Sequence, residues 1–187
     1  MANRNTQGFG LVPAGTLGST PATSGTGKYK IDAGSATTIF QGGAVSSTAG
    51  YIVEGQGTAD NPMVGVLNGI FFNAATTLKP TFQNHYVQVT PANSEDIDAF
   101  VFDNPQQQYV VATDDAAAQS LYLETFDMNA SAGSTTTGKS SSTLDIGDTS
   151  ADAASFRLLR SAEDPENDEN AAFRSVVVVP NLIELQS

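Results

Sequence analysis

From residue 28 onward the chain is cut into short runs of β-type residues by turn clusters that recur about every 8 to 15 residues, the rhythm of an antiparallel barrel or sandwich. Helical periodicity is nearly absent. The runs at 28–33, 37–41, 50–54, 63–72, 81–89, 99–102, 109–113, 121–126, 155–160 and 173–179 are predicted strands, and the alanines within 114–122 allow one helical turn. Asn61-Pro62, Asn104-Pro105 and Asp164-Pro165 mark turns, because the residue before a proline is pushed out of the α region. The valines at 176–179 form a run that can be covered on both faces, and Pro180 limits its pairing beyond that point. The predicted fold is therefore all-β, a small antiparallel β-barrel or β-sandwich over residues 28–187.

Residues 1–27 read differently. They hold Gly8, Gly10, Gly15, Gly18, Gly25 and Gly27, prolines at 13 and 21, many Ser and Thr, and no acidic residue. Such a composition buries too little apolar surface to order itself, so it predicts an extended, flexible N-terminal arm outside the core. Phe9, Leu11, Val12 and Leu17 are nonetheless more apolar than a linker requires. They are the candidate contacts with a neighbouring subunit, in a segment that orders only against something else; a disordered terminus with incidental apolar residues is the alternative.

At 187 residues the chain suits one domain with an appendage. The absence of cysteine rules out disulfides and thiolate metal sites, and a single histidine, His85, rules out a histidine cluster. The N-terminus lacks a charged region followed by an apolar stretch, and no apolar run approaches the roughly 18 residues of a membrane span, so no membrane association is expected. The net charge is −12, unevenly placed: residues 1–94 carry 4 basic and 3 acidic side chains, residues 95–187 carry 4 basic and 17 acidic. A surface of that sign repels phosphate backbones, which argues against DNA or RNA as a direct ligand.

Four patterns invite a chemical reading. Gly133-Ser134-Thr135-Thr136-Thr137-Gly138-Lys139-Ser140 fits the phosphate-loop pattern G-x-x-x-x-G-K-[ST], which works only between a buried strand and a helix whose N-terminus meets the phosphate. The residues after it are poor helix formers broken by Gly147, and those before it alternate like a half-exposed strand, so a loop between strands is expected. The segment 164–170 places acidic and amide oxygens at alternate positions as a calcium loop does, but Glu169 stands where that loop needs glycine and Ser175 where it needs a bidentate Glu. His85 has no nucleophile turn to serve and reads as structural. Arg157 and Arg160 are expected to form ion pairs in the acidic half. No catalytic residue, metal, cofactor or small-molecule ligand is expected.

Several stretches, taken in order, resemble the head decoration (capsid-stabilising, or cement) proteins of tailed bacteriophages. They are Ile39-Phe40-Gln41-Gly42-Gly43-Ala44-Val45 with Gly50-Tyr51-Ile52; Val64-Gly65-Val66-Leu67-Asn68-Gly69-Ile70-Phe71; Phe100-Val101-Phe102-Asp103-Asn104-Pro105 with Tyr109; and the C-terminal set of the 133–140 loop, Leu144-Asp145, Phe156-Arg157-Leu158-Leu159 and Asp164-Pro165-Glu166-Asn167-Asp168. The similarity covers about residues 37–170 in patches, and the 1–27 segment is similar to leaders of such proteins in marine phages. The resemblance implies a virion structural protein, made in the host cytoplasm, that binds the outer capsid surface, bridges major capsid protein subunits and forms a homotrimer. Phe9, Leu11, Val12 and Leu17 would then contact the capsid or a neighbouring copy. A minor neck, tail or host-surface-binding virion protein is the alternative, and a nucleotide-binding protein using residues 133–140 the third reading.

Overall fold

The computed structural model describes residues 3, 5–18, 25–147, 154–163 and 165–186. Asp164 of the predicted Asp164-Pro165 turn and residues 19–24 of the predicted arm, Pro21 among them, lie outside the described residues.

The fold is all-β, with antiparallel ladders and no α-helix among the described residues. After β1 (Val12–Thr16) the chain lays down β2 (Gly27–Ile31), β3 (Ala44–Thr48), β4 (Tyr51–Glu54), β5 (Gly65–Asn73), β6 (Pro80–Gln83) and β7 (Ile97–Phe102). Strands β2 to β7 form one sheet in the order β2-β7-β5-β3-β4, with β6 alongside β5. Then come β8 (Gln107–Ala112), β9 (Thr125–Phe126), β10 (Met128–Asn129), β11 (Thr143–Leu144), β12 (Phe156–Ser161) and β13 (Ser175–Pro180). The second sheet runs β1-β8-β13-β12-β9, and β10 pairs with β11 alone.

Local chemistry explains the connections. The β3–β4 hairpin closes through Ala49 and Gly50, both at positive φ (51° and 86°), as the tightest two-residue turns require. Asn104 accepts the Gln106 N–H on its side chain and the Gln107 N–H on its carbonyl, making the Asn104-Pro105 turn between β7 and β8. The helical turn predicted within 114–122 is a single 3-10 turn, Gln119–Leu121. The predicted strand at 37–41 is instead two isolated bridges, Ile39 to Tyr86 and Gln41 to Lys139.

Two cores result. The six-stranded sheet curls until its outer strands β2 and β4 approach, yet no ladder joins them, so it is not a closed barrel. Tyr51 on β4 instead donates its hydroxyl to Asp96 beside β7 at 3.1 Å. The concave side buries Ile31, Val45, Ile52, Leu67, Ile70, Ile97 and Val101, with Tyr86 fully buried and its hydroxyl donated to the Ser35 carbonyl at 2.6 Å. A second core of Tyr109, Val111, Phe126, Leu144, Phe156, Leu158, Val176 and Val178 lies on the five-stranded sheet and packs against Ala44, Met63 and Val66. The two sheets thus share an interface, in the manner of a sandwich.

The N-terminal segment departs from the expectation of an arm outside the core. Leu11 is 1% exposed within the second core, and β1 pairs with β8 as the edge of the five-stranded sheet. Gly10 and Gly42 make this possible: at φ +73° and +79° their backbones pass close enough that a Cβ on Gly10 would meet the Gly42 oxygen at 2.7 Å, and Leu11 donates its N–H to that same oxygen. Further out, Asn3 donates its side-chain amide to the carbonyl of Ala172 at 2.8 Å. Gly8 and Gly10, which looked like flexibility, are therefore points of close backbone approach.

Candidate docking surface

The convex side of the six-stranded sheet is covered at one end only. Ala44, Val66 and Phe102, aligned across β3, β5 and β7, face the second core. Further along, a bulge at Asn68 lets Leu67 and Ile70 both point inward, so that Gly69 and Phe71 face out. Register then places Phe100 beside Gly69, Phe82 opposite Phe71, and Lys28 opposite Phe100 on the same outer face. Phe82 is 60% exposed, Phe71 and Phe100 are partly exposed, and the rings of Phe82 and Phe100 lie 6.1 Å apart and tilted. Of the three rings Phe82 is the open one, and Phe71 and Phe100 are partly covered.

Asp98 sets the polar edge of this face. Its carboxylate takes Lys28 at 2.8 Å and Lys30 at 2.6 Å, reaching both from a partly buried position on β7. Burial alone would raise its pKa, but the bonds from the two ammonium groups outweigh that and hold it below the usual carboxylate range. The bond to Asp98 correspondingly raises the Lys30 pKa. At the end of β7, Tyr29 donates its hydroxyl to Asp103 at 2.7 Å, and burial plus that carboxylate push its pKa up to about 12. The patch is thus aromatic with a pinned lysine pair along one side.

Next to it runs a groove of roughly 340 Å³ between the N-terminal segment and the six-stranded sheet, lined by Phe9, Leu11, Val12, Gln41, Phe102 and Lys139 among others. The structure therefore brings together three of the four predicted contact residues. Val12 is 47% exposed and Phe9 partly so, whereas Leu11 is spent on the core. Leu17, 37% exposed, follows the far end of β1 and does not line the groove. The aromatic patch was missed in the sequence, although a signal exists: Phe100 and Phe102 alternate with Ala99 and Val101, which makes both faces of β7 apolar with no helix available to cover the second.

The 133–140 segment connects β10 to β11, so no helix begins after it. Five of its backbone N–H groups are engaged within the protein: Ser134 to the Lys139 carbonyl, Gly138 to that of Ser134, Ser140 to that of Gln41, and Thr137 and Lys139 to side-chain hydroxyls. The Ser140 hydroxyl is buried against that of Ser142 at 3.0 Å. A phosphate would meet no helix end there.

The remaining candidates resolve in the same way. His85 stacks on Phe40 with ring centroids 6.0 Å apart and meets the Asn84 side chain through Nδ1. The described part of the acidic loop is organised by amides, Asn167 bonding both N–H and carbonyl of Ser175 and Asn3 accepting the Asp168 N–H. No group of His, Asp and Glu with metal-binding geometry occurs among the described residues. Arg157 and Arg160 correct an expectation: among the described residues neither pairs with a carboxylate. Arg157 donates to the Leu123 carbonyl and Asn181, and Arg160 to Gln108. The strand positions beside the two arginines, Val177 and Val179 on β13, are neutral. No helix among the described residues is long and apolar enough to cross a membrane.

Compared with protein-family models, curated proteins and solved structures, the chain matches none.

Proposed function

We propose that this chain is a virion structural protein that docks on the outside of a tailed-phage head, bridges neighbouring copies of the major capsid protein and stabilises the shell. The observation that carries the reading is the partly exposed aromatic patch of Phe71, Phe82 and Phe100 beside the Phe9–Val12 groove, on a β scaffold. Large aromatic side chains on an ordered surface bind at low entropic cost and supply most of the energy of protein interfaces. The patch also lies on the less acidic part of the molecule, since 14 of the 20 acidic residues fall in 103–187. A chain docked through it turns most of its carboxylates to solvent, which keeps particles dispersed. Self-association into a homotrimer multiplies the contacts with the shell and raises avidity without new chemistry.

Co-sedimentation of the purified chain with heads stripped of it tests the reading. Saturable binding at a copy number that matches the shell lattice is expected, with Phe82→Glu weakening it at least about tenfold, or about 1.4 kcal/mol. No binding to heads would overturn the reading, and a handful of copies per particle would put the chain in the neck or tail.

A further inference from the structure

The outer side of the five-stranded sheet carries a second surface. A bulge at Leu159 shifts β12 by one residue, so that Arg157 stands opposite Val179 and Arg160 opposite Val177. Since Val176 and Val178 point into the core, both arginines project from the outer face; without the bulge Arg160 would turn inward. The same row continues through Val110 on β8 to Val12 on β1; Val177 and Val179 are themselves buried, so the accessible part of the row is the two arginines with Val110 and Val12.

Among the described residues the acceptors of these guanidiniums are neutral: the Leu123 carbonyl at 2.6 Å, Asn181 Oδ1 at 3.3 Å and Gln108 Oε1 at 3.1 Å. Each guanidinium has five N–H donors in a planar fork suited to carboxylate, so these contacts orient the groups and leave charge and donors available. The chain, at net −12, holds the complementary charge elsewhere. The loop between β12 and β13 carries Glu163, Glu166, Asp168 and Glu169, with the three glutamates exposed. Asn167 and Asn3 fix it through bonds to Ser175, Ala172 and Asp168, so little ordering entropy is lost when it meets a partner.

We infer that Arg157 and Arg160 receive the acidic β12–β13 loop of a second copy of this chain. The inference deepens the self-association in the reading above and rests on it. Donor face and acceptor loop are different surfaces, so the contact is head-to-tail, the kind that closes into a ring when the rotation permits.

Sedimentation velocity of the purified full chain at about 50 mM and about 500 mM salt, where screening lengths differ several-fold, tests it. An oligomer at low salt that dissociates at high salt is expected. Arg157→Glu with Arg160→Glu, and separately Glu163→Lys with Glu166→Lys, should each raise the dissociation constant at least tenfold, and combining the two pairs should restore association. The loop pair is exposed and reads the contact even if the arginine pair impairs folding, which a thermal melt reports. A wild-type monomer at both salts, a salt-independent oligomer, or an oligomer indifferent to the loop pair would overturn the inference. A monomer that still co-sediments with heads would overturn this contact alone, and an oligomer that ignores heads would overturn the shell reading alone.

Discussion

The ring of Phe82 lies over Gly69: a methyl group at Gly69 would stand 2.6 Å from Phe82 Cζ and 2.8 Å from the Gln83 carbonyl oxygen. The ring can swing aside, but the carbonyl belongs to the β5–β6 ladder and cannot. Gly69→Ala should therefore destabilise the protein by about 1–3 kcal/mol, as overpacking does, and displace Phe82 from the patch. A thermal melt reads the first effect and loss of head binding the second; an unchanged melting temperature would show that β6 is not seated as described.

Leu11 gives the N-terminal segment its structural weight. Leu11→Ala should cost about 2–5 kcal/mol in urea unfolding, the usual range for a leucine buried in a core. Deleting residues 1–17, which removes β1 as well, should lower the melting temperature sharply or prevent folding. A deletion variant that melts like the full chain would restore the view of this segment as a free arm.

How much of this was legible beforehand follows from what each residue type reports. The β-type run at 99–102 and the valines at 176–179 revealed strands, because side chains on a half-buried or buried strand must match its two faces. β1 and β3 escaped notice, because Val12–Thr16 contains a proline and two small residues and Ala44–Thr48 reads as turn-like serine and threonine. β1 takes its strand state from β8, distant in sequence, and β3 from its hairpin partner β4 together with β5, none of which composition reports. The glycines at 10 and 42 were ambiguous for a similar reason: glycine marks both flexibility and close approach, and only the crossing chain decides. The flanks of the 133–140 loop, by contrast, were readable, since weak helix formers after the motif already denied it a helix.

The absence of a helix after that loop gives a direct test. Lys139→Ala should leave folding unchanged, and calorimetric titration of the wild type with Mg-ATP should show no binding. A dissociation constant near or below about 100 μM, roughly −5.5 kcal/mol, would contradict the description of the loop.

The Lys28–Asp98–Lys30 bridge predicts how stability depends on pH. Because the folded pKa of Asp98 is depressed, its contribution is present above the unfolded value of about 3.9 and is lost as pH falls through the lower folded value. Lys30, with a raised pKa, contributes fully below about 10.4 and loses its contribution as pH rises through its folded value. With both lysines half or more exposed, the effect stays below about 1 kcal/mol at neutral pH. Asp98→Asn should therefore lower stability modestly at pH 7, and the gap from wild type should close below about pH 4. A gap that persists unchanged into acid would mean the bridge contributes nothing.

A density map of the intact particle that carries this chain tests the docking account most directly. The account predicts the chain on the outer shell surface, with Phe71, Phe82 and Phe100 against the major capsid protein and residues 103–187 turned mainly to solvent. A map that places it inside the head, or with the three rings facing solvent, would contradict it.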